Sequence, residues 1–364
     1  MAIRKREWTA PNGTEKQAWL VDYRDQAGKR RFKQFARKKD AEAYELSAQS
    51  EVRAGVHTAD SASITVGQAA DNWLASVRAL DREPTTVAAY EQHVRLHIKP
   101  KCGGRKLSQL TAPMVRTITD EWLDELSRPM AVRVLRSLKA LITTAQERGQ
   151  VAQNVALAVK LAKSSKDRGK VQIPSKAVLR AILKAADGQN HPKGRALVYL
   201  ALYSGMRASE LRGLSWSGVD LQAGKVEVYQ RADAKGRIGP PKSASGNRTI
   251  GLPSAAVKAL KEWKLACPSH GLDLVFPSDK GKVISHRGLM QVLEPVQQDA
   301  QRVTMHDFRH AAASLWIERG LNPKRVQYLM GHGSIQVTFD TYGHLFETED
   351  ADADAMEAAL FAET

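Results

Sequence analysis

The stretch that decides the fold is "MGHGSIQVTFDTYGHLFETEDADADA", Met330 to Ala355. It sets a single tyrosine, Tyr342, between His332 and His344, just ahead of an acidic run. Upstream, Asn322 and Pro323 form an N-cap and a first helical position, and Gly331 is a helix stop. His332 therefore falls in the following turn. Ser334 caps a short helix, "IQVTFDTY", that carries Tyr342. A tyrosine on a helix ordinarily serves packing. Reading it as a nucleophile requires partners, and these must come from elsewhere in the chain.

"MHDFRHAAASLWIERG" places His306, Arg309 and His310 on one helical face, at i, i+3 and i+4. Two histidines at that spacing suggest a metal pair, but "HDFRH" lacks the acid of HExxH. Arg309 between them repels a cation and suits an anion, because its planar fork of donors matches phosphate oxygens. The bland alternative is a helix that merely exposes basic residues. In "YSGMRASELRGLSW", Gly205 ends one helix and Arg207 opens the next. Arg207 and Glu210 lie three apart on one face. The carboxylate either holds the guanidinium in place or makes an ordinary surface pair.

Composition narrows the class. The chain has 364 residues, enough for two or three domains. Hydrophobic residues make up 43%, which excludes a disordered chain. No run approaches the ~20 apolar residues of a membrane span, and "MAIRKREWTA" lacks the apolar core of a signal peptide. Cys102 and Cys267 are too few for a disulfide framework or a Cys-rich metal site, so a cytoplasmic protein is expected. Net charge is +16 and pI about 9.8. Residues 347–364 hold seven acids and no Lys or Arg, which leaves +23 for the remainder. So basic a body suits a polyanion, with nucleic acid the first expectation.

Along the chain, residues 1–60 read as a small sheet plus helix: strands in "QAWLVDYRD" and "KRRFKQFA" around the turn "DQAGK", then a helix ending at Gly55. Arg30, Arg31, Lys33, Arg37, Lys38 and Lys39 cluster there as candidate DNA contacts, against the alternative of a solvated strand face. "HTADSASI" reads as a polar linker. Residues 64–165 read as four helices, the first opened by Thr65 and Gln68 at capping-box spacing. The last sets Val132, Leu135, Leu138, Leu141 and Ile142 on one face, with Arg133, Arg136 and Lys139 elsewhere. Arg133 and Arg136 are further candidate DNA contacts. After the basic linker "KSSKDRGK", residues 173–346 read as a mostly helical unit with one β-hairpin, "KVEVYQ" and "RTIGLP", around a mobile Gly/Pro/Ser-rich loop. The acidic tail, residues 347–364, follows. The expected class is mainly α with small β elements.

Taken in order, "SGMRASEL", "PPKSASGNRTIGLP", "MHDFRHAAAS" and "LMGHGSIQVTFDTYGHL" resemble the tyrosine recombinase (phage integrase) family, in its three-domain phage and conjugative-element type. The resemblance implies an arm-site DNA-binding domain (residues 1–60), a helical core-site domain (64–165) and a mixed α/β catalytic domain (173–346). It implies Arg207 and Arg309 as phosphate-binding arginines and Lys242 as the hairpin-loop lysine, with Lys235 in the same loop as the alternative. His306 falls on the first histidine, His332 on the His/Trp position, Tyr342 on the nucleophile and Glu210 on the acidic supporter of the first arginine. No catalytic position is missing. The implied activity is site-specific cleavage and rejoining of DNA through a 3′-phosphotyrosine and a Holliday junction, with no cofactor and no metal. Implied partners are double-stranded attachment sites of core and arm type, three further copies in a tetramer, an excisionase and a DNA-bending host factor. The setting would be the nucleoid of a bacterial host, with no membrane. The apolar residues Met356, Ala359, Leu360 and Phe361 in the tail suggest docking on a neighbouring subunit. A type IB topoisomerase-like enzyme and a non-catalytic DNA-binding regulator are the competing readings.

Overall fold

The structure, a computed structural model, describes residues 2–25, 27–80, 82–161, 171–188, 191–268, 271–297 and 302–346. The chain divides into two compact units, residues 1–164 and 165–364. The linker "KSSKDRGK" and the tail 347–364 fall wholly outside the described residues.

The first unit opens with three antiparallel strands in the order β1 (Ala2–Thr9), β2 (Glu15–Arg24), β3 (Arg30–Phe35). Sequence reading misses β1 because only Ile3 of that strand is even partly buried, so no alternation shows. One sheet face packs Val21, Tyr23, Trp19 and Phe35 against Ala41 and Tyr44 of α1 (Lys38–Arg53). Gly55 follows α1 with φ +74°, the left-handed stop the sequence predicts.

The expected polar linker is instead a fastened joint. His57 is buried, with Nε2 2.8 Å from the Tyr23 hydroxyl and Nδ1 2.9 Å from Glu51. The Asp60 carboxylate accepts from Lys33 of the sheet at 2.7 Å and from Ser108 of the helical part at 2.7 Å. Polar composition here marks hydrogen-bonding capacity, and its partners lie too far along the chain to be read locally.

The helical part is a bundle of α2 (Val66–Ala79), α3 (Pro84–His93), α4 (Lys99–Cys102), α5 (Ala112–Glu125) and α6 (Arg128–Glu147). The Thr65–Gln68 capping box closes as expected, with both reciprocal hydrogen bonds present. A wide turn, Val94–Ile98, joins α3 to α4. Leu135, Leu138, Leu141 and Ile142 of α6 sit in the core, while Arg133 and Arg136 are exposed on its other side.

In the second unit, α8 (Pro192–Ser204) is apolar on nearly every face and is buried at the centre. Around it pack α7 (Lys176–Gly188), α10 (Ser254–Ala266), α11 (His286–Leu293) and α12 (Met305–Glu318). The remaining helices are α9 (Ala208–Gly213), α13 (Pro323–Met330) and α14 (Ile335–Tyr342). The predicted hairpin is part of a three-stranded antiparallel sheet, β4 (Val219–Asp220), β5 (Lys225–Val228) and β8 (Arg248–Gly251). Within the loop expected to be mobile, β6 (Arg231–Ala232) and β7 (Ile238–Gly239) form a two-stranded ladder. Strands of two residues carry no periodicity for a sequence reading to find.

Candidate active site

The site forms where α13 ends. A helix terminus leaves its last carbonyls without intrahelical partners and carries partial negative charge. Here three consecutive carbonyls each accept from a different arginine. Leu329 O takes Arg248 Nε at 2.7 Å, Met330 O takes Arg309 Nη2, and Gly331 O takes Arg207 Nη2 at 2.8 Å. Gly331 turns the chain with φ +61°. A Cβ there would lie 2.9 Å from Arg248 Nη1 and 3.1 Å from the Ser245 carbonyl, so the turn needs glycine on both counts.

One carboxylate ties two of these arginines together. Glu210 is 1% exposed. Its two oxygens accept from Arg248 Nη2 at 2.8 Å and Nη1 at 3.2 Å, and from Arg207 Nη1 at 2.7 Å. Burial opposes its charge, but Arg248 and then Arg207 hold its pKa below the ordinary value. Arg207 is the N-cap of α9, two residues after the left-handed Gly205 that stops α8, φ +58°. Arg309, 3% exposed, also donates from Nη1 to Gly205 O at 2.6 Å. Burial first, then Arg207, pushes its pKa down to about 9.

His332 leaves the α13 terminus half-buried, with Nδ1 3.0 Å from the hydroxyl of the fully buried Thr338 on α14. Burial, Arg309 and Arg207 lower its pKa to about 4. Tyr342, at the end of α14, is 1% exposed, and burial pushes its hydroxyl up to about 12. That hydroxyl lies 2.7 Å from Nδ1 of His310. His306 is exposed on α12 and packs its ring edge-on against His310, centroids 4.3 Å apart. Lys242 is exposed on the segment that runs past the α13 terminus, three residues before Ser245. Lys235 sits at the far turn of the β6–β7 ladder.

The structure thus brings Arg207, Glu210, Arg309, His306, His332 and Tyr342 into one neighbourhood. Two members escaped sequence reading. Arg248 is buried at an inward position of β8, where an arginine within the alternating "RTIG" was the available signal. His310 was placed on the right helical face but given no role.

The N-terminal basic cluster is not one surface. The pleat of β3 turns Arg30 outward and Arg31 and Lys33 inward. Arg30 pairs with Asp22, Arg31 with Asp25, Lys33 with Asp60, Arg37 with Asp40 and Lys38 with Glu42. Lys39 makes no ion pair among the described residues. The outer sheet face instead carries Arg4 and Arg6 on β1 and, across β2, Arg30 and Phe32 on β3, the last 71% exposed. Among the described residues no group of three or more His, Cys, Asp or Glu is arranged to hold a metal, and no helix is long and apolar enough to cross a membrane.

The interior gathers guanidiniums at a helix terminus beside a buried tyrosine, an arrangement whose donors suit a phosphate-like anion. The phage integrase family pattern matches residues 175–349, and the phage integrase N-terminal SAM-like domain matches residues 65–126. The tyrosine recombinase XerC of Xylella fastidiosa (strain M23) is 31% identical over 223 residues, covering 60% of this chain and 71% of that protein. Among solved structures, the Tn1549 transposon integrase in complex with transposon right end DNA aligns at a TM-score of 0.66 and 20% identity, covering 82% of this chain and all of that one. A lambda integrase tetramer bound to a Holliday junction aligns at 0.58 and 19%, covering 90% and 95%. The chain belongs to the phage integrase family of tyrosine recombinases, enzymes that break and rejoin DNA strands.

Two outcomes follow from the geometry. Arg248→Met leaves Glu210 buried without its bidentate partner and should cost about 3–5 kcal/mol, read as a lowered midpoint in denaturant. The two neutral histidines set a pH dependence. His310 and His332 have folded-state pKa values of about 4 against an ordinary 6.5. Between those values the unfolded chain binds more protons, so stability should fall as pH drops through that window and level off below it. Replacing His332 with Gln should flatten the slope in chemical denaturation.

Proposed function

We propose that this enzyme is a site-specific recombinase that integrates and excises a mobile DNA element. Tyr342 attacks the scissile phosphate to give a 3′-phosphotyrosine and a free 5′-hydroxyl, which conserves the bond energy without a cofactor. Arg207 and Arg309 hold the non-bridging oxygens where negative charge accumulates. His332 donates a hydrogen bond to the same phosphate. Lys242 protonates the leaving 5′-oxygen, and Glu210 supports Arg207. A 5′-hydroxyl from a partner duplex reverses the step, and two rounds exchange the strands through a Holliday junction. The observation that carries this reading is the convergence of two arginines from α9 and α12 on one helix end, a single residue from His332.

The resemblance gives His306 a proton-handling role toward Tyr342. Its ring meets His310, and the Tyr342 hydroxyl is held by His310. The alternative readings, a topoisomerase-like relaxing enzyme and a non-catalytic regulator, gain nothing from relatives that are named recombinases and integrases.

Four exchanged strands call for four active sites, so a homotetramer on two DNA sites is the working assembly, in line with the lambda integrase tetramer. Residues 64–165 and 173–346 would each bind the core site. Arg133 and Arg136 on the exposed side of α6 fit phosphate contacts there. Residues 1–60 would read arm-type sites through the outer sheet face, and an excisionase and a DNA-bending host protein would set direction. The setting is the nucleoid of a bacterial cell.

The decisive measurement uses a nicked duplex carrying the core site from the element's own ends. Wild type should form a covalent adduct on a denaturing gel and Tyr342→Phe should form none while still binding. An adduct with Tyr342→Phe removes the nucleophile assignment. For the arm site, Arg4→Ala and Arg6→Ala should each weaken binding and reduce the salt slope by about one. Lys33→Ala, which faces inward to Asp60, should lower stability and leave that slope unchanged.

A further inference from the structure

His310 has no part in the scheme above, yet it is the group in contact with the reacting oxygen. Its Nδ1 lies 2.7 Å from the Tyr342 hydroxyl, within a buried contact. Among the described residues that hydroxyl has no other hydrogen-bond partner. A phenol brings one hydrogen and must place it. Were Nδ1–H the donor, the phenolic hydrogen would be left buried and unsatisfied. The phenol therefore donates, Nδ1 accepts, and the ring carries its own hydrogen on Nε2.

We propose that His310 takes the phenolic proton of Tyr342 as that oxygen attacks the scissile phosphate, and returns it when the strand is rejoined. The inference rests on the nucleophile reading and deepens it. In cleavage the Oη–P bond forms and the P–O5′ bond breaks. The phenolic proton passes to Nδ1 and makes an imidazolium. The leaving 5′-oxygen takes its proton from a separate acid, Lys242 in the scheme above. In rejoining, the 5′-hydroxyl attacks and gives its proton back to the Lys242 amine, Oη departs, and the imidazolium returns its proton to Oη.

The groups that face His310 are His306, Asp307 and Arg309 on its own helix, Tyr342 from α14, and His332 from the turn after α13. Burial, His306 and Arg309 hold His310 near a pKa of about 4, and burial holds Tyr342 at about 12. The resting pair is therefore neutral, with the proton on the phenol. Transfer becomes favourable only as Oη bonds to phosphorus and loses its basicity. A phosphate anion beside Arg309 and Arg207 also offsets the positive charge that depresses His310. The distance already lies within the range a general base requires, and such a base contributes about 10²–10⁴-fold.

The test is single-turnover cleavage of the nicked duplex by the full chain, followed from acid to mildly alkaline pH. A second duplex carries sulfur in place of the bridging 5′-oxygen, so its leaving group departs without a proton. His310→Ala should bind DNA as wild type does and cleave about 10²–10⁴-fold more slowly on both duplexes. Lys242→Ala should recover on the sulfur duplex alone. Added imidazole should restore part of the His310→Ala rate in proportion to its free-base form. His310→Asn keeps an acceptor at the Nδ1 position, guards against a misfolded alanine variant, and cannot take a proton, so it should stay slow. Wild-type cleavage by either variant, or rescue of His310→Ala by the sulfur duplex, would overturn the proposal. An adduct formed by Tyr342→Phe would sink the underlying nucleophile reading instead, and the two failures are distinct.

Discussion

Three consecutive carbonyls at the end of α13 organise this molecule's chemistry. Arg248, Arg309 and Arg207 reach them from β8, α12 and α9, segments separated by up to 124 residues along the chain. Each bond answers a need on both sides. The helix end has orphan acceptors, and a buried guanidinium has donors that must be satisfied. The shared solution fixes three side chains relative to one another without a single acid-base pair for each. Glu210 supplies the one carboxylate, and it bridges the buried arginine to the half-exposed one.

That arrangement leaves positive charge in surplus. Three guanidiniums face one carboxylate, and the depressed pKa of Arg309 registers the cost of keeping it so far from water. An anion that arrives meets donors already oriented, with no reorganisation left to make, which is the condition under which electrostatic stabilisation is strongest. Together with Glu210 and Gly246, the bonds to the helix end tie every nitrogen of Arg248 to protein groups, whereas Arg207 keeps part of its side chain exposed.

Much of the site was legible because its signals are local. Gly205, Arg207, Asn322, Pro323, Gly331 and Ser334 mark helix ends through conformational and capping rules that act over a few residues, and all six do in the structure what the sequence predicts. What stayed hidden depends on partners far apart. Arg248 meets Leu329 across 81 residues, and no pattern within "RTIG" states where its side chain ends. Asp60 meets Ser108 across 48, so a packed joint read as a linker. The residues from Arg30 to Lys39 are divided between faces for another reason. Neighbours in sequence are opposites across a pleat, and charge density along the chain is not charge density on a surface.

The histidines show how the charged core governs the helix that bears the tyrosine. Two hydrogen bonds join α14 to the rest of the site, Thr338 to His332 and Tyr342 to His310. Both rings are kept neutral by burial and by nearby positive groups, with Arg309 acting on each. Whatever offsets the charge on Arg309 therefore makes both rings more basic at once. A site that is empty of anion holds its tyrosine protonated, buried and inert. On the proposed reaction, a site filled by phosphate would acquire, from the same electrostatic change, both a stabilised reaction centre and a more competent acceptor for the phenolic proton. On that reading, seating the DNA comes before release of the nucleophile, because burial and the charge on Arg309 together keep the acceptor ring weakly basic until an anion offsets that charge.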